Sequence, residues 1–445
     1  MSDEMKSFEA LEQRLNDRKT EYDAMSVPDA AAYQAVQAGI RQAARKRKSR
    51  LRWVMSSISA AAIILVFTGC IRVSPAFASF VEQLPGMEGI VSMIRQDKGL
   101  MMAIDQSLLQ KVGVTDEHDG ASMTVDSIIT DESRMVIFYT MKGMKDLDKG
   151  GYDFDLLDEH GKNLPVGFSY SSPKPTSDEN VYENYIDVIF TGDVSPPEEL
   201  SVVFKSRHKG SSKEWKVTFP VDTDLTKGMK KIIPVNQTLM VDGQRIDVKQ
   251  ATLYPTRFVL DVKFDPKNTK KIFGLDDLQL VDEQGRAWRT NTTTGEDERS
   301  IYFESMYFSI PKKLTLQGSG FSGLNKNELD IVVDLKSHKI TGGPSGLKML
   351  GSKVVGKDLV IHFSVDGSME GKFILAFRDV MDKAGKEYQI PGSNWSSGDG
   401  TDERHTIISS TIQNGAKMKG EIKMHIATYP MKFKSPFSME IPVNP

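Results

Sequence analysis

Met123–Gly143 reads MTVDSIITDESRMVIFYTMKG, two runs of β-branched, aromatic and other apolar residues interleaved with polar ones and separated by the polar stretch Asp131–Ser133. Such a pattern, with a period near two, predicts a β-hairpin. The same arrangement returns as RIDVKQATLYPTRFVLDVKFDP from Arg245 and more loosely as KMLGSKVVGKDLVIHFSVDG from Lys348. A second mark follows each hairpin, an apolar strand closed by an acidic turn that contains Gly. It reads DFDLLDEHGKNL from Asp153, DLQLVDEQGRAW from Asp277 and ILAFRDVMDKAGKEY from Ile374. The third mark is a closing pair of strands: ELSVVFKS with EWKVTFPVD, KLTLQ with ELDIVVDL, and EIKMHIAT with FSMEIPV. A repeat of roughly a hundred residues suits a β-sandwich. Sandwich domains are therefore expected at 114–228, 229–343 and, more divergent, 344–445.

Outward from these repeats, the 445 residues allow two to four domains, and 26% charged with 39% hydrophobic residues is ordinary for folded soluble modules. The region after residue 52 is mildly acidic, which argues against direct nucleic-acid binding. The single cysteine, Cys70, precedes the β-rich region, so each sandwich must be held by its own apolar core without disulfides.

Trp53–Ile71 reads WVMSSISAAAIILVFTGCI, without Asp, Glu, Lys, Arg or His, and as a helix it would span about 28 Å. This predicts a single transmembrane helix. Arg45, Lys46, Arg47, Lys48, Arg50 and Arg52 cluster just before it, which predicts that the N-terminus stays in the cytoplasm and the rest lies outside. A cleaved secretory signal would start close to Met1, and more than fifty residues precede this apolar run. Phe67-Thr68-Gly69-Cys70 loosely matches a lipidation box, but Phe67 stands where a smaller aliphatic is usual. Cys70 is read as a small apolar residue of the span.

Ahead of the basic cluster, Phe8, Leu11 and Leu15, then Tyr33, Val36 and Ile40, fall at helical spacing and give two narrow apolar faces. Two such short helices bury too little to be stable alone. They read either as a surface completed by a partner or as a partly disordered tail. Beyond the apolar run, Phe77, Phe80, Val81 and Leu84 form one helical face ended by Pro85 and Gly86. Ile90, Val91 and Ile94 open another, continued by Met101, Ile104 and Leu108 past a break at Gly99.

The sequence signals no catalytic or metal chemistry. The acidic turns around Asp158, Asp282 and Asp382 lack the alternating oxygen ligands of a calcium loop and fit tight hairpin turns. The seven His residues are scattered, with no metalloprotease or zinc spacing. No nucleophile elbow, phosphate loop or dinucleotide fingerprint occurs. Trp215, Trp288 and Trp395 could stack on sugars, but core packing is the commoner role of an aromatic in a sandwich. The expectation is a non-enzymatic chain without cofactor or metal.

Ser74-Pro75-Ala76-Phe77, then LPGMEGIVSMIRQDKGL and ITDESRMVIFYTMKG, resemble the single-span proteins of Gram-positive spore-forming bacteria that carry domain of unknown function 4179. The later repeats resemble the β-rich domains appended in that family. The resemblance implies an anti-sigma-factor-like regulator whose cytoplasmic segment holds an extracytoplasmic-function sigma factor. The segment departs from better known anti-sigma domains in lacking a His-x-x-x-Cys-x-x-Cys motif. The fold expected is mainly β: a single transmembrane helix at 53–71, short α-helical cytoplasmic (1–52) and juxtamembrane (72–113) segments, and two or three tandem immunoglobulin-like β-sandwich domains. Its partners would be the membrane, a sigma factor and an unidentified extracytoplasmic ligand. The competing reading is a cell-surface or wall-binding structural module.

Overall fold

The computed structural model describes residues 93–443, except 145–146, 148–151, 177, 179, 207–212, 367–373, 392 and 398–404. One complete α-helix, α1 (Lys98–Asp105), precedes a chain of strands. The expected single transmembrane helix is corrected by this architecture, because no helix among the described residues is long and apolar enough to cross a membrane. The apolar run 53–71, the basic cluster 45–52 and the two faces within 1–52 lie outside the described residues.

The first β module begins with β1 (Leu109–His118), β2 (Ala121–Thr130) and β3 (Arg134–Lys142). It continues with β4 (Tyr152–Leu157), β5 (Gly167–Tyr170), β6 (Lys174–Pro175) and β7 (Val181–Ile189), and ends with β8 (Glu199–Ser206) and β9 (Lys213–Pro220). One sheet runs β1-β2-β3-β7-β5 with β6 beside β7, and the other runs β4-β8-β9. Their facing sides close over Val125, Ile137, Tyr139, Phe154, Phe204 and Trp215. Trp215 therefore packs in the core, as the sequence suggests.

Strand β3 is buried almost throughout because successive side chains enter different cores. Met135, Ile137 and Tyr139 point between the two sheets, whereas Val136 and Phe138 meet Leu100, Ala103 and Ile104 of α1 on the opposite face. The helix thus covers a sheet face that would otherwise be wet. Asp97 starts it, its side chain accepting from the Leu100 amide at 3.0 Å, so the helix boundary falls before Gly99 and not at it. Gly99 has another purpose. A Cβ there would lie 2.7 Å from Ser305 and 3.0 Å from the Thr256 carbonyl, so its absence lets α1 approach the second module.

The second module is laid out similarly, with β10 (Lys231–Val241), β11 (Gln244–Leu253), β12 (Arg257–Phe264), β13 (Lys270–Asp276), β14 (Gln279–Asp282), β15 (Ala287–Gly295), β16 (Glu298–Glu304) and β17 (Leu314–Asn325). Strand β15 turns the corner, pairing with β14 through Ala287–Arg289 and with β16 through Thr290–Gly295. The third module contains β18 (Asp330–Asp334), β19 (Lys339–Gly342), β20 (Leu347–Val355), β21 (Asp358–Asp366), β22 (Ala376–Asp382), β23 (Glu387–Gln389), β24 (Ser393–Ser397), β25 (His405–Ile412) and β26 (Glu421–Thr428). Its sheets run β19-β18-β26-β22-β23 and β20-β21-β25-β24.

The last strand, β27 (Lys432–Ile441), pairs with β17 and sends Phe437, Met439 and Ile441 into the second module's core. Only the first of the three expected closing pairs forms, β8 with β9. The strands of the other two find partners elsewhere: β17 lies against β13, β14 and β27, while β18 and β26 lie against each other.

The repeat is exact in its turns. The first hairpins of modules one and two turn at Asp119-Gly120 and Asp242-Gly243, all four with positive φ, the two-residue turn whose twist matches paired strands. At the acidic turns, one oxygen each of Asp158, Asp282 and Asp382 accepts from the backbone amides two and four residues on. The fourth residue of each turn, Gly161, Gly285 or Gly385, has φ between 72° and 80° with open space where a Cβ would stand. Backbone strain is then the sole penalty for a side chain. Gly161→Ala and Gly285→Ala should each destabilise their module by about 1 kcal/mol. Urea unfolding followed through Trp215 and Trp288 would measure both, and a neutral result at either position would contradict the strain argument.

Candidate functional site

Phe8, Leu11, Leu15, Tyr33, Val36, Ile40 and the basic residues Arg45–Arg52 all lie outside the described residues. The structure draws attention instead to a buried cluster of charges where α1, the first module and the second module meet.

The cluster is built from two equivalent turns. In the first module Asp131 caps the β2–β3 turn, one oxygen accepting from the Ser133 amide and hydroxyl and from the Arg134 amide. Its other oxygen crosses to the β11–β12 turn of the second module, accepting from the Thr256 amide at 2.8 Å and hydroxyl at 2.7 Å. The residue after each turn is an arginine, and both are buried, Arg134 at 3% and Arg257 at 1% exposure.

Isolated charges at such depth are strongly unfavourable, so the partners matter. Arg134 donates through Nε and Nη2 to the two oxygens of Asp187, at 2.8 and 2.7 Å, and through Nη1 to Asp97 at 2.7 Å. This parallel fork is the strongest geometry available to a guanidinium and a carboxylate. Asp97 uses its remaining oxygen to cap α1. Arg257 places Nη2 3.3 Å from the same Asp187 and lies over the Tyr302 ring, 4.9 Å from its centre. Its Nε and Nη1 have no protein partner among the described residues. A single carboxylate, Asp187 on β7, therefore serves both arginines.

Electrostatics follow the geometry. Burial opposes the charge on Arg134, but Asp187 and Asp97 outweigh it and raise the guanidinium above its ordinary value. At Arg257, burial and then the neighbouring positive Arg134 bring the value down to about 10, which leaves it cationic at neutral pH. Glu304, opposite Arg257 on β16, is pushed up to about 7 by burial, against the pull of Lys98.

The acids and bases of this junction carried no role in the sequence reading, although a signal was present. Aligning the two hairpins puts Arg134 and Arg257 at the same place, directly after a polar turn and before an apolar strand. Strand registers extend the match: Asp187 stands opposite Val136, and Tyr302 opposite the equivalent Val259. Where the first module has an acid, the second has a tyrosine.

Beside the junction runs a cleft of mixed lining, in two parts of ≈ 600 and ≈ 400 Å³ that share Thr191, Asp261, Thr294 and Ser300. Glu132, Ser133 and Thr191–Ser195 of the first module form one wall, and β11, β12, β15 and β16 of the second form the other.

Residues 48–143 match the domain of unknown function DUF4179, and residues 230–342 match DUF5643, a family of unknown function. The chain carries a DUF4179 domain. The DUF4179 part of the resemblance drawn from the sequence is thereby borne out, and the β-rich region beyond it fits. No curated protein matches the chain. A solved structure, the crystal structure of a conserved domain protein from Bacillus anthracis, is 14% identical with a TM-score of 0.36, over 69% of this chain and 91% of its own. The DUF4179 match ends at Gly143, so it takes in α1, the first hairpin and Arg134, whereas Arg257 belongs to the DUF5643 part. The junction is where the two meet.

Asp187→Ala should destabilise the protein by about 3–5 kcal/mol, since it leaves two buried guanidiniums without their shared carboxylate. Asp187→Asn should do so less, because an amide oxygen can still accept. Equilibrium urea unfolding of the three proteins tests this, and an unperturbed alanine variant would remove the junction from any central role.

A pH dependence follows from Glu304. Its folded value, about 7, lies above its ordinary 4.5, so the folded state favours the protonated form. The contribution is fully present below about pH 4.5 and is lost as the pH rises through about 7. Glu304→Gln should therefore raise stability at pH 8 by on the order of 1–2 kcal/mol, allowing for partial exposure, and change little at pH 4.5. An equal effect at both pH values would refute the assignment.

Proposed function

We propose that this DUF4179 chain is a non-enzymatic regulator of the anti-sigma type. Its β-rich region senses an extracytoplasmic ligand, and residues 1–52 bind an extracytoplasmic-function sigma factor on the cytoplasmic side. The observation that carries the proposal is the buried junction. Asp97 caps α1, the first complete helix among the described residues, and also binds Arg134, while Asp187 ties Arg134 to Arg257. A rearrangement between the first two modules must therefore disturb the start of α1. The paired apolar faces within residues 1–52 supply the complementary feature, a surface completed by a partner.

The test uses the full chain and an extracytoplasmic-function sigma factor from the same organism. Replacing Leu11 and Val36 together by Asp should weaken capture of the sigma factor by several orders of magnitude. Each buried apolar side chain contributes about 1.5–3 kcal/mol, about 1.4 kcal/mol is tenfold, and the new carboxylates must be desolvated. Protein yield should be unchanged. Full capture by the double variant would show that these faces are not the contact surface, and no capture by the parent chain would overturn the proposal. In the same cells, protease added to protoplasts should remove the β modules and spare residues 1–52.

A second reading, a surface module attached to a wall polymer, is favoured by the cleft alone. It predicts that exchanging residues 1–52 for an unrelated basic leader preserves function.

A further inference from the structure

The cleft between the first and second modules has a lining whose chemistry points to one class of ligand. Its charges balance, four basic side chains against four acidic ones, so it offers no excess field to an anion or a cation. Several of the charges already satisfy one another. Lys263 pairs with Glu298, and Lys230 with Glu132 at 2.9 Å. Beside the charges stands a concentration of hydroxyl and amide groups, which donate and accept with equal ease.

Four of these groups are held in fixed orientation. Asp261 on β12 accepts from the Ser300 hydroxyl at 2.6 Å through one oxygen and from the Gln250 amide at 3.0 Å through the other. A carboxylate so held keeps further lone pairs for a donor arriving from the cleft. Tyr302 and Thr294 hold each other's hydroxyls at 3.1 Å on the next strands. On the facing wall, the hydroxyls of Thr191 and Ser195 have no hydrogen-bond partner among the described residues and lie on exposed backbone after β7. Facing rows of neutral donors and acceptors, ordered on one wall and open on the other, match a molecule that itself carries alternating hydroxyls.

We propose that this cleft binds a neutral carbohydrate, an oligosaccharide laid between Thr191–Ser195 and the Gln250–Asp261–Ser300 group. The proposal rests on the sensor reading and names its ligand class. Its position also explains how binding would be felt. Glu132 and Ser133 of the cleft wall belong to the turn that holds Asp131 and Arg134, and Tyr254 and Tyr302 flank Thr256 and Arg257. A sugar spanning the cleft would favour the arrangement in which Asp187 holds both arginines.

The experiment titrates the full chain with chitotetraose and with cellotetraose by calorimetry, alongside Thr191→Trp, which fills the mouth from an exposed loop, and Gln250→Ala, which removes an orienting donor. Saturable binding of at least one oligosaccharide, weakened about tenfold or more in both variants at unchanged thermal midpoint, is the result expected. Absence of binding by either sugar, or binding that both variants leave intact, would overturn the proposal. If Thr191→Trp lowers the midpoint, Gln250→Ala decides alone. A parallel arm mixes the chain with purified cell-wall sacculi. Retention blocked by the soluble sugar assigns the ligand to the wall polymer, and solution binding without retention assigns it to a free oligosaccharide. Capture of the sigma factor by residues 1–52 is read separately, so loss of one activity leaves the other measurable.

Discussion

Two arginines from two modules meet one aspartate, and much of the described structure is arranged to make that contact possible. Asp187 must reach Arg134 within its own sheet and Arg257 from the neighbouring one, which requires the β2–β3 and β11–β12 turns to lie against each other. Asp131 secures that approach by accepting from Thr256 across the boundary. Gly99 secures the third side, since any Cβ there would drive α1 away from Ser305. Burying this much charge adds little net stability, because desolvation offsets most of the Coulombic gain. What it supplies is position. Sliding one module along the other would leave a buried guanidinium without its acid, which is far less favourable than displacing an apolar contact.

The asymmetry of the duplication explains why the junction exists. If the second module had an acid where Asp187 stands in the first, Arg257 would be satisfied internally and would not need the neighbouring module's carboxylate. Tyr302 occupies that position and gives Arg257 a ring face in place of a carboxylate. The second arginine therefore depends on its neighbour's Asp187. With an acid in one module and a tyrosine at the matching place in the other, the second arginine's ion pair lies between units.

Local features of this chain were legible, and features that depend on distance were not. The hairpin of Met123–Gly143 and its counterpart from Arg245 announce themselves by period, and the Asp-x-x-Gly turns by composition, because strand pleat and left-handed backbone impose those choices on neighbouring residues. The first closing pair, ELSVVFKS with EWKVTFPVD, is also local, and it forms. The strand ending in FSMEIPV shows what local pattern omits. Its apolar residues alternate as any half-buried strand's would, and nothing in them says that the partner is Leu314–Ser322, more than a hundred residues earlier. Gly99 misled for a related reason, since a glycine in a helical pattern reads as a break unless the opposing Ser305 is known. Arg134 and Arg257 look like surface charges at strand starts until the modules are placed side by side.

A charge-lined seam differs from a hydrophobic one in how it can open. Separating two apolar faces exposes area to water and rises in free energy with every square ångström. Opening the seam parts Arg257 from Asp187, whose pair with Arg134 stays within the first sheet, and water rehydrates the parted groups, so the open arrangement is compensated by solvent. Arg257 is already imperfectly satisfied, with Nε and Nη1 buried and unpaired, and water would relieve both. Glu304, opposite it, gains from opening as well, since burial is what raises its carboxyl. The closed state is thus specified sharply in geometry yet held by a modest margin. Two arrangements separated by a few kcal/mol, with a cleft along their boundary, are what a ligand of ordinary affinity can shift.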